Sequence, residues 1–434
     1  MKRLVPVSIL AHALLGTALA SPAGALQTVH VVTSTGAGAV QAAVDAAVDG
    51  DLVLVHAGTY GPVTIAGKGV SIVADPPNSV TFTSLTITGL PAGGLCSVSG
   101  VAANGFELPE RSAIRVSSCA GAVRFAAVQG VPAFGTAAGG MRVVDAQDVV
   151  LTACTLTGST QQPPLVLNPD PAGFGLYCAT SKVAVFDSTI TGGAGRNSVI
   201  AFNAFFTGGA GGGGVLVNDP VSEFFASGTT ITGGPGGSGA NGQCIGGVPS
   251  GPSSGFPGGV GITANTSTRL RSCTITGGNG GGGGACAFCP PLPPPPPGCG
   301  APAGASGFAI VGSPSLLSAP AARLLAPAVV REGTTLSITV LGAPGGSATI
   351  VVSGGTRWLF YAPFSGTLHY ADASRRLAVG TIPGSGALTI ALPIAPLASG
   401  QELLQKHLQG LVRAPDGSVS VGTSSVLTIL DSSF

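Results

Sequence analysis

The chain has 434 residues, 71 of them glycine and 34 proline, while only 8% are charged. Its 18 Lys and Arg stand against 17 Asp and Glu with no basic run, which excludes a nucleic-acid footprint. So much glycine and proline suits either low-complexity disorder or folded β structure with many turns, and the low charge and abundant β-branched residues select the second.

Residues 1–25 combine a basic start, an apolar run from about Leu4 to Leu19, and small-residue A-x-A sites at Ala18–Ala20 and Ala23–Ala25. This is the pattern of a secretory signal peptide, and its apolar run is short for a membrane span. The expectation is an exported protein, secreted, periplasmic or at the cell surface, with no membrane span after cleavage. A retained N-terminal anchor is the competing reading.

Next, Val40, Ala43, Val44, Ala47 and Val48 recur at helical spacing and predict a short helix closed by Gly50. Strands are predicted at 52–55, 63–65 and 70–73, with a turn over Ala57, Gly58, Thr59 and Tyr60. A small helix feeding a series of very short strands is how a β-solenoid begins, because the helix covers the open edge of the first coil.

Repeats follow. The segments SLTITG, FAAVQG, CTLTG, STITGG, TTITGG and CTITGG end on Gly89, Gly130, Gly158 and, at their first glycines, Gly192, Gly233 and Gly277. Most follow a second predicted strand, as at 114–116, 141–144, 176–178, 215–217 and 262–264. The strands are constant and one connection varies, which is the mark of a solenoid with its insertions on one face. The glycine tracts after Gly192, Gly233 and Gly277 are therefore predicted to stack outside the core, where the missing Cβ lets backbones lie close together. Pro293–Pro297 predicts a stiff polyproline II spacer.

After residue 318 the texture changes. Strands are predicted at 336–340, 348–352, 358–361, 377–381, 387–392 and 426–429, separated by turn signals, so a small antiparallel β-sandwich-like domain is expected over 319–434. Residues 401–412 read either as a helix, from Leu404, Leu408 and Leu411, or as a strand from His407. Trp358, with Tyr361 and Tyr370, is read as a packed core aromatic, with a sugar platform as the alternative.

The opening VQAAVDAAVDGDLVLVHAGTYGPVTI and the C/S-T-I-T-G-G coil ends resemble right-handed parallel β-helix repeat proteins of the pectate-lyase-like superfamily, exported bacterial type. The resemblance covers about residues 28–318. It implies three parallel sheets around an apolar core, with Thr and Ser in stacked ladders, and Cys154, Ser188, Thr229 and Cys273 share one ladder position. The fold class expected is thus all-β, a right-handed parallel β-helix over 26–318 with an N-terminal capping helix and a C-terminal sandwich.

Lyases of that superfamily hold calcium with clustered acids and use an Arg or Lys base; its hydrolases use a carboxylate pair. The hydrolase motifs N-T-D, D-D, G-H-G and R-I-K are absent. Gly58-Thr59-Tyr60 matches the esterase G-x-Y alone, and Tyr60 reads as a packed turn residue. The acidic candidates Asp145 and Asp148, Asp187, and Asp219 with Glu223 are scattered. They suit turn capping better than a calcium site across coils. His56 reads as structural, and Arg115, Arg124, Arg142, Arg269 and Arg271 have no carboxylate cluster beside them in sequence. No catalytic residue and no metal ligand is assigned; Asp145, Asp187, Asp219 and Trp358 are the binding candidates.

Nine cysteines in an exported chain favour disulfides, with one left over. Cys244, Cys286, Cys289 and Cys299 are read as staples of otherwise floppy loops, since the C-x-x-C at 286–289 lacks a second pair for zinc. Free thiols are the alternative. The function expected is an exported, non-catalytic β-helix presenting a surface to polysaccharide, cell envelope or matrix. The alternative is a polysaccharide lyase or glycoside hydrolase, with Ca2+ as the cofactor it would use.

Overall fold

The computed structural model describes residues 27–33, 35–105, 112–132, 138–160, 172–201, 204–245, 248–249, 251–287, 299–318, 321–355, 358–361, 366–369 and 374–434. The expectations for the signal peptide, Cys289, Pro293–Pro297 and Tyr370 fall outside these residues.

Three parallel sheets wind around one apolar core. The first stacks Val29–Val32 on 52–55, 71–74, 97–99, 122–126, 149–152, 183–186, 223–227, 268–271 and 315–317. The second stacks 58–60, 80–82, 101–103, 129–130, 155–157, 189–191, 230–232 and 274–276. The third runs from 63–66 through 85–88, 114–117, 141–144, 176–179, 215–217 and 262–264 to 310–312. Every coil visits the sheets in that order, so the fold is a right-handed parallel β-helix. Strand alternation sends Val, Ile, Leu and Phe inward, and a continuous buried cluster runs from Val32 to Leu270.

The helix Ala39–Ala46 lies over the first coil through buried Val40 and Val44, while Val48 is exposed beyond its end. The turn expected at 57–60 is instead strand, part of Leu52–Tyr60, with a register shift between His56 and Gly58 that makes the corner. Tyr60 is buried and donates its hydroxyl to the His56 carbonyl at 2.7 Å. One repeat assignment also changes. The segment ending at Gly89 belongs to the third sheet, whereas those ending at 130, 158, 192, 233 and 277 belong to the second. The T-I-T pattern alone cannot distinguish them, because both sheets alternate inward Ile with outward Thr.

From the third coil onward, the varying connection always joins the second sheet to the third, over 104–113, 131–140, 158–175, 192–214, 233–261 and 277–309. In the last three, the described residues form ordered arms. Each leaves the solenoid as an outgoing arm and returns as a second arm bonded to its neighbours at every third residue. Gly233, Gly236 and Gly239 donate to the carbonyls of Thr276, Asn279 and Gly282, and Gly278, Gly281 and Gly284 donate to Gly259, Phe256 and Ser253. Three residues is the polyproline II period, and this array resembles a raft of such helices. Added Cβ atoms on Gly234, Gly259 and Gly278 would fall on the carbonyl oxygens of Gly193, Gly212 and Gly234. Glycine is therefore required at the contacts. A disulfide, Cys286–Cys299, ties the outgoing and returning arms of the last connection together. Cys96, Cys119, Cys154, Cys178 and Cys273 are free thiols turned to the core, which corrects the expectation of a wider disulfide set for those five.

The C-terminal strands form a sandwich. One sheet holds Arg323–Leu325, Thr335–Leu341 and Ala387–Pro393; the other holds Val329–Arg331, Val419–Leu430, Leu403–Arg413, Ser347–Ser353 and Arg375–Thr381. Pairing is antiparallel except between Val329–Arg331 and 428–430. The ambiguous stretch is strand Leu403–Arg413, because spacing of four fits the β period as well as the helical one. Its Leu404, Leu408 and Val412 enter the sandwich core. Leu403, Gln405 and His407 face the solenoid instead, Leu403 packing with Leu52, Leu54 and Val73. The sandwich thus covers the outer side of the first sheet.

Candidate functional site

The second sheet offers the most regular uncharged face of the solenoid. In each T-I-T strand the central residue is core: Leu156, Ile190 and Ile231 are fully buried. The flanking threonines consequently point outward in two ranks. Thr155, Thr189, Thr230 and Thr274 pair in register and are exposed, and Thr157, Thr191, Thr232 and Thr276 form the second rank. The first rank continues toward the N-terminal end through Gln129, Ala102, Thr81 and Thr59. At ordinary strand spacing of ~4.8 Å, these eight rungs extend over roughly 34 Å. No rung position carries a charge. Within the second rank, Thr276 donates its hydroxyl to that of Thr232 at 3.2 Å.

A repeated corner precedes the strands of this face. The residue before each ladder position is left-handed: Ala127, Ala153, Asp187, Gly228 and Ser272 all have positive φ. The ladder side chain that follows bonds back to the carbonyl two residues earlier. Ser188 reaches Phe186 at 2.7 Å, Thr229 reaches Ser227 at 3.2 Å, and the thiols of Cys154 and Cys273 reach Thr152 and Arg271 at 3.4 Å. The Cys154 N–H donates to Ser188 Oγ at 3.0 Å, linking successive coils. The predicted ladder of Cys154, Ser188, Thr229 and Cys273 is thus a corner device. Burial pushes the thiols of Cys154 and Cys273 up, so they are poor nucleophiles.

The ionisable candidates lie elsewhere. Asp145 is left-handed and exposed at the corner between third and first sheets. Asp219 caps the equivalent corner two coils on, accepting from the N–H groups of Thr180, Val221 and Ser222 and from Ser222 Oγ. Burial raises its carboxyl less than these bonds lower it, and the net pKa is below the ordinary value. Asp187 faces the sandwich, 2.7 Å from Arg323 Nε, and accepts from Thr423. There burial dominates and raises the carboxyl. Trp358 is half-buried against His369, ring centroids 5.0 Å apart, with its Nε1 3.5 Å from Glu223. Glu223 itself faces Lys182 and Arg269. The structure does not bring Asp145, Asp187 and Asp219 together, and no group of three or more metal-ligating side chains occurs among the described residues.

It does join two residues that sequence kept apart. Arg124 and Asp148 occupy adjacent rungs of the first sheet, 2.6 Å apart and nearly inaccessible. His369, on the hairpin strand Gly366–His369 paired with Trp358–Tyr361, approaches the other oxygen of Asp148 at 3.5 Å, and buried His407 lies beside them. Burial would raise the Asp148 carboxyl, but Arg124 and then His369 outweigh it and hold it low. Burial also drives His407 down to about 3. An acid, a base and a guanidinium in contact could do proton chemistry, yet His369 is fully enclosed. This cluster is a junction between sandwich and solenoid. Nothing local in the sequence signals it, since the Arg124–Asp148 pair and the two histidines lie more than 200 residues apart.

No family model and no curated protein matches the chain. Among solved structures it is weakly similar to the enzymatically active domain of bacteriophage CBA120 tailspike protein 2. That match has 10% identity and a TM-score of 0.23, over 94% of this chain and 72% of that one. Full-length tailspike protein 2 from an Escherichia coli O157:H7 bacteriophage gives 9% identity and 0.19, covering 94% and 64%. A superoxide reductase from Ignicoccus hospitalis gives 12% identity and 0.15, covering 25% and 80%. Overlaps this loose transfer no residue role.

Proposed function

We propose that this chain is an exported β-helix protein whose second-sheet face binds a neutral, hydroxyl-rich polymer, a polysaccharide of envelope or matrix, without cleaving it. The observation carrying this reading is the double rank of outward threonines at Thr155–Thr157, Thr189–Thr191, Thr230–Thr232 and Thr274–Thr276. Each rung offers a hydroxyl that donates and accepts, and a methyl against which a sugar ring can rest. The repeat suits an extended ligand better than a small one. Buried Arg124 and Asp148 hold the sandwich, while Asp187 and Asp219 hold corners.

The test is retention of the purified chain on a panel of insoluble plant, algal and bacterial polysaccharides, with supernatants assayed for new reducing ends and unsaturated products. Retention on one polymer without product is expected. The Thr189→Glu and Thr230→Glu double variant should lose at least about tenfold in retention, since charge against an uncharged face costs desolvation. Product formation, or a variant that binds as well as the parent, would sink the reading.

A further inference from the structure

The glycine arms end on an open edge. The donors of the fifth connection all reach the sixth: Gly233, Gly236 and Gly239 reach the last outgoing arm, and Gly255, Gly258 and Gly261 reach Pro302, Ala305 and Phe308 of the last returning arm. The positions that repeat these donors on the last arms are Gly277, Gly280, Gly283, Ala303, Ser306 and Ala309. Among the described residues, their N–H groups have no acceptor. Beside them the final coil leaves Phe308 74% and Leu316 72% exposed, with Val311 also exposed. An open row of backbone donors flanked by apolar side chains is a template for another chain.

We propose that a second copy of this chain docks on this end, two-fold related, with the last arms of the two copies antiparallel. Three observations select that occupant. The whole segment 272–317 contains no Asp, Glu, Lys, Arg or His, so a two-fold axis, which sets like against like, brings no like charges together. Antiparallel bonding between glycine arms already occurs inside the chain, beside the parallel bonds of Gly233, Gly236 and Gly239: Gly278, Gly281 and Gly284 donate to the returning arm of the previous connection. Head-to-tail growth is blocked, because the opposite end is covered by the helix Ala39–Ala46 and its first coils carry no arms. Closure as a dimer follows, and the threonine faces of both copies remain free.

Sedimentation equilibrium of the mature full chain tests this directly, at concentrations up to about 100 μM, above the micromolar weak limit of a standard-size interface. A dimer is expected. The Phe308→Arg and Leu316→Arg double variant should be monomeric with an unchanged circular dichroism spectrum, both side chains being exposed. Val48→Arg, at a 63% exposed position beyond the capping helix at the opposite end, should remain dimeric. A parent that stays monomeric throughout overturns the proposal. So does a double variant that dimerises like the parent, or association that continues to open-ended polymers.

Discussion

Asp148 shows how one side chain is committed by burial. It sits on the first sheet, one rung from Arg124, and its two oxygens are divided between that guanidinium and His369. Taking either charge out of water alone costs several kcal/mol, and the pair offsets that cost only while both members remain. Asp148→Asn keeps the shape and strands the Arg124 charge. The expected loss is about 3–5 kcal/mol in chemical denaturation. A loss under about 1 kcal/mol would mean that water reaches the pair and that the junction is looser than its geometry. The sequence offered both residues separately, Arg124 as a base without an acid and Asp148 as a scattered carboxylate. What it hid was their register, set by a connection with its own length in every coil.

At the scale of the element, the glycine arms are the least ordinary part of the molecule. They carry almost no side chains to bury, so a hydrophobic core cannot be what orders them. They are ordered by backbone N–H to carbonyl bonds at every third residue, and carbonyl oxygens of neighbouring arms close on the glycine Cα positions. A methyl group at such a contact forces the arms apart. Gly259→Ala would place its Cβ on the Gly212 carbonyl oxygen, whereas Gly251→Ala meets nothing within 4 Å. The first should cost about 1–3 kcal/mol, the usual range for forced overpacking, and the second should be neutral. Hydrogen exchange along 233–261 makes the comparison: equal protection in both variants would show that the arms are not bonded as a raft. The stacking of these segments was legible in the sequence, from glycine tracts recurring after the same strand. Their rigidity was not, because glycine is also what a floppy loop contains.

For the whole molecule, the sandwich and solenoid meet along the outer side of the first sheet, and that junction is built to favour neutral pH. His407 is pushed from 6.5 to about 3 by burial, with Arg124 next in effect and His369 and Lys406 acting the same way against Asp148. As pH falls below 6.5 the unfolded chain takes up this proton and the folded chain does not until about 3. Stability therefore declines across that window, by up to about 1.4 kcal/mol per pH unit for this group. Asp148, held below its ordinary 3.8, contributes stability that is present above that value and is lost as pH falls through its folded value. His407→Gln should remove one proton from the pH slope of unfolding between about pH 6 and 4. An unchanged slope would place His407 in contact with water. The same junction decides which surface remains for a ligand. It hides the first sheet and leaves the threonine ranks of the second open.

By itself the sequence determined the solenoid, its capping helix, the side on which insertions grow and the change of texture after residue 318. All of these are written in local periodicity, which strand sterics and glycine geometry convert directly into structure. Only the tertiary structure decided which sheet each T-I-T segment joins, that the arms form a bonded raft, and that Arg124, Asp148, His369 and His407 converge. Those facts depend on register between coils and on a sandwich folding back over more than 200 residues. Long-range register leaves no periodic trace in a single chain.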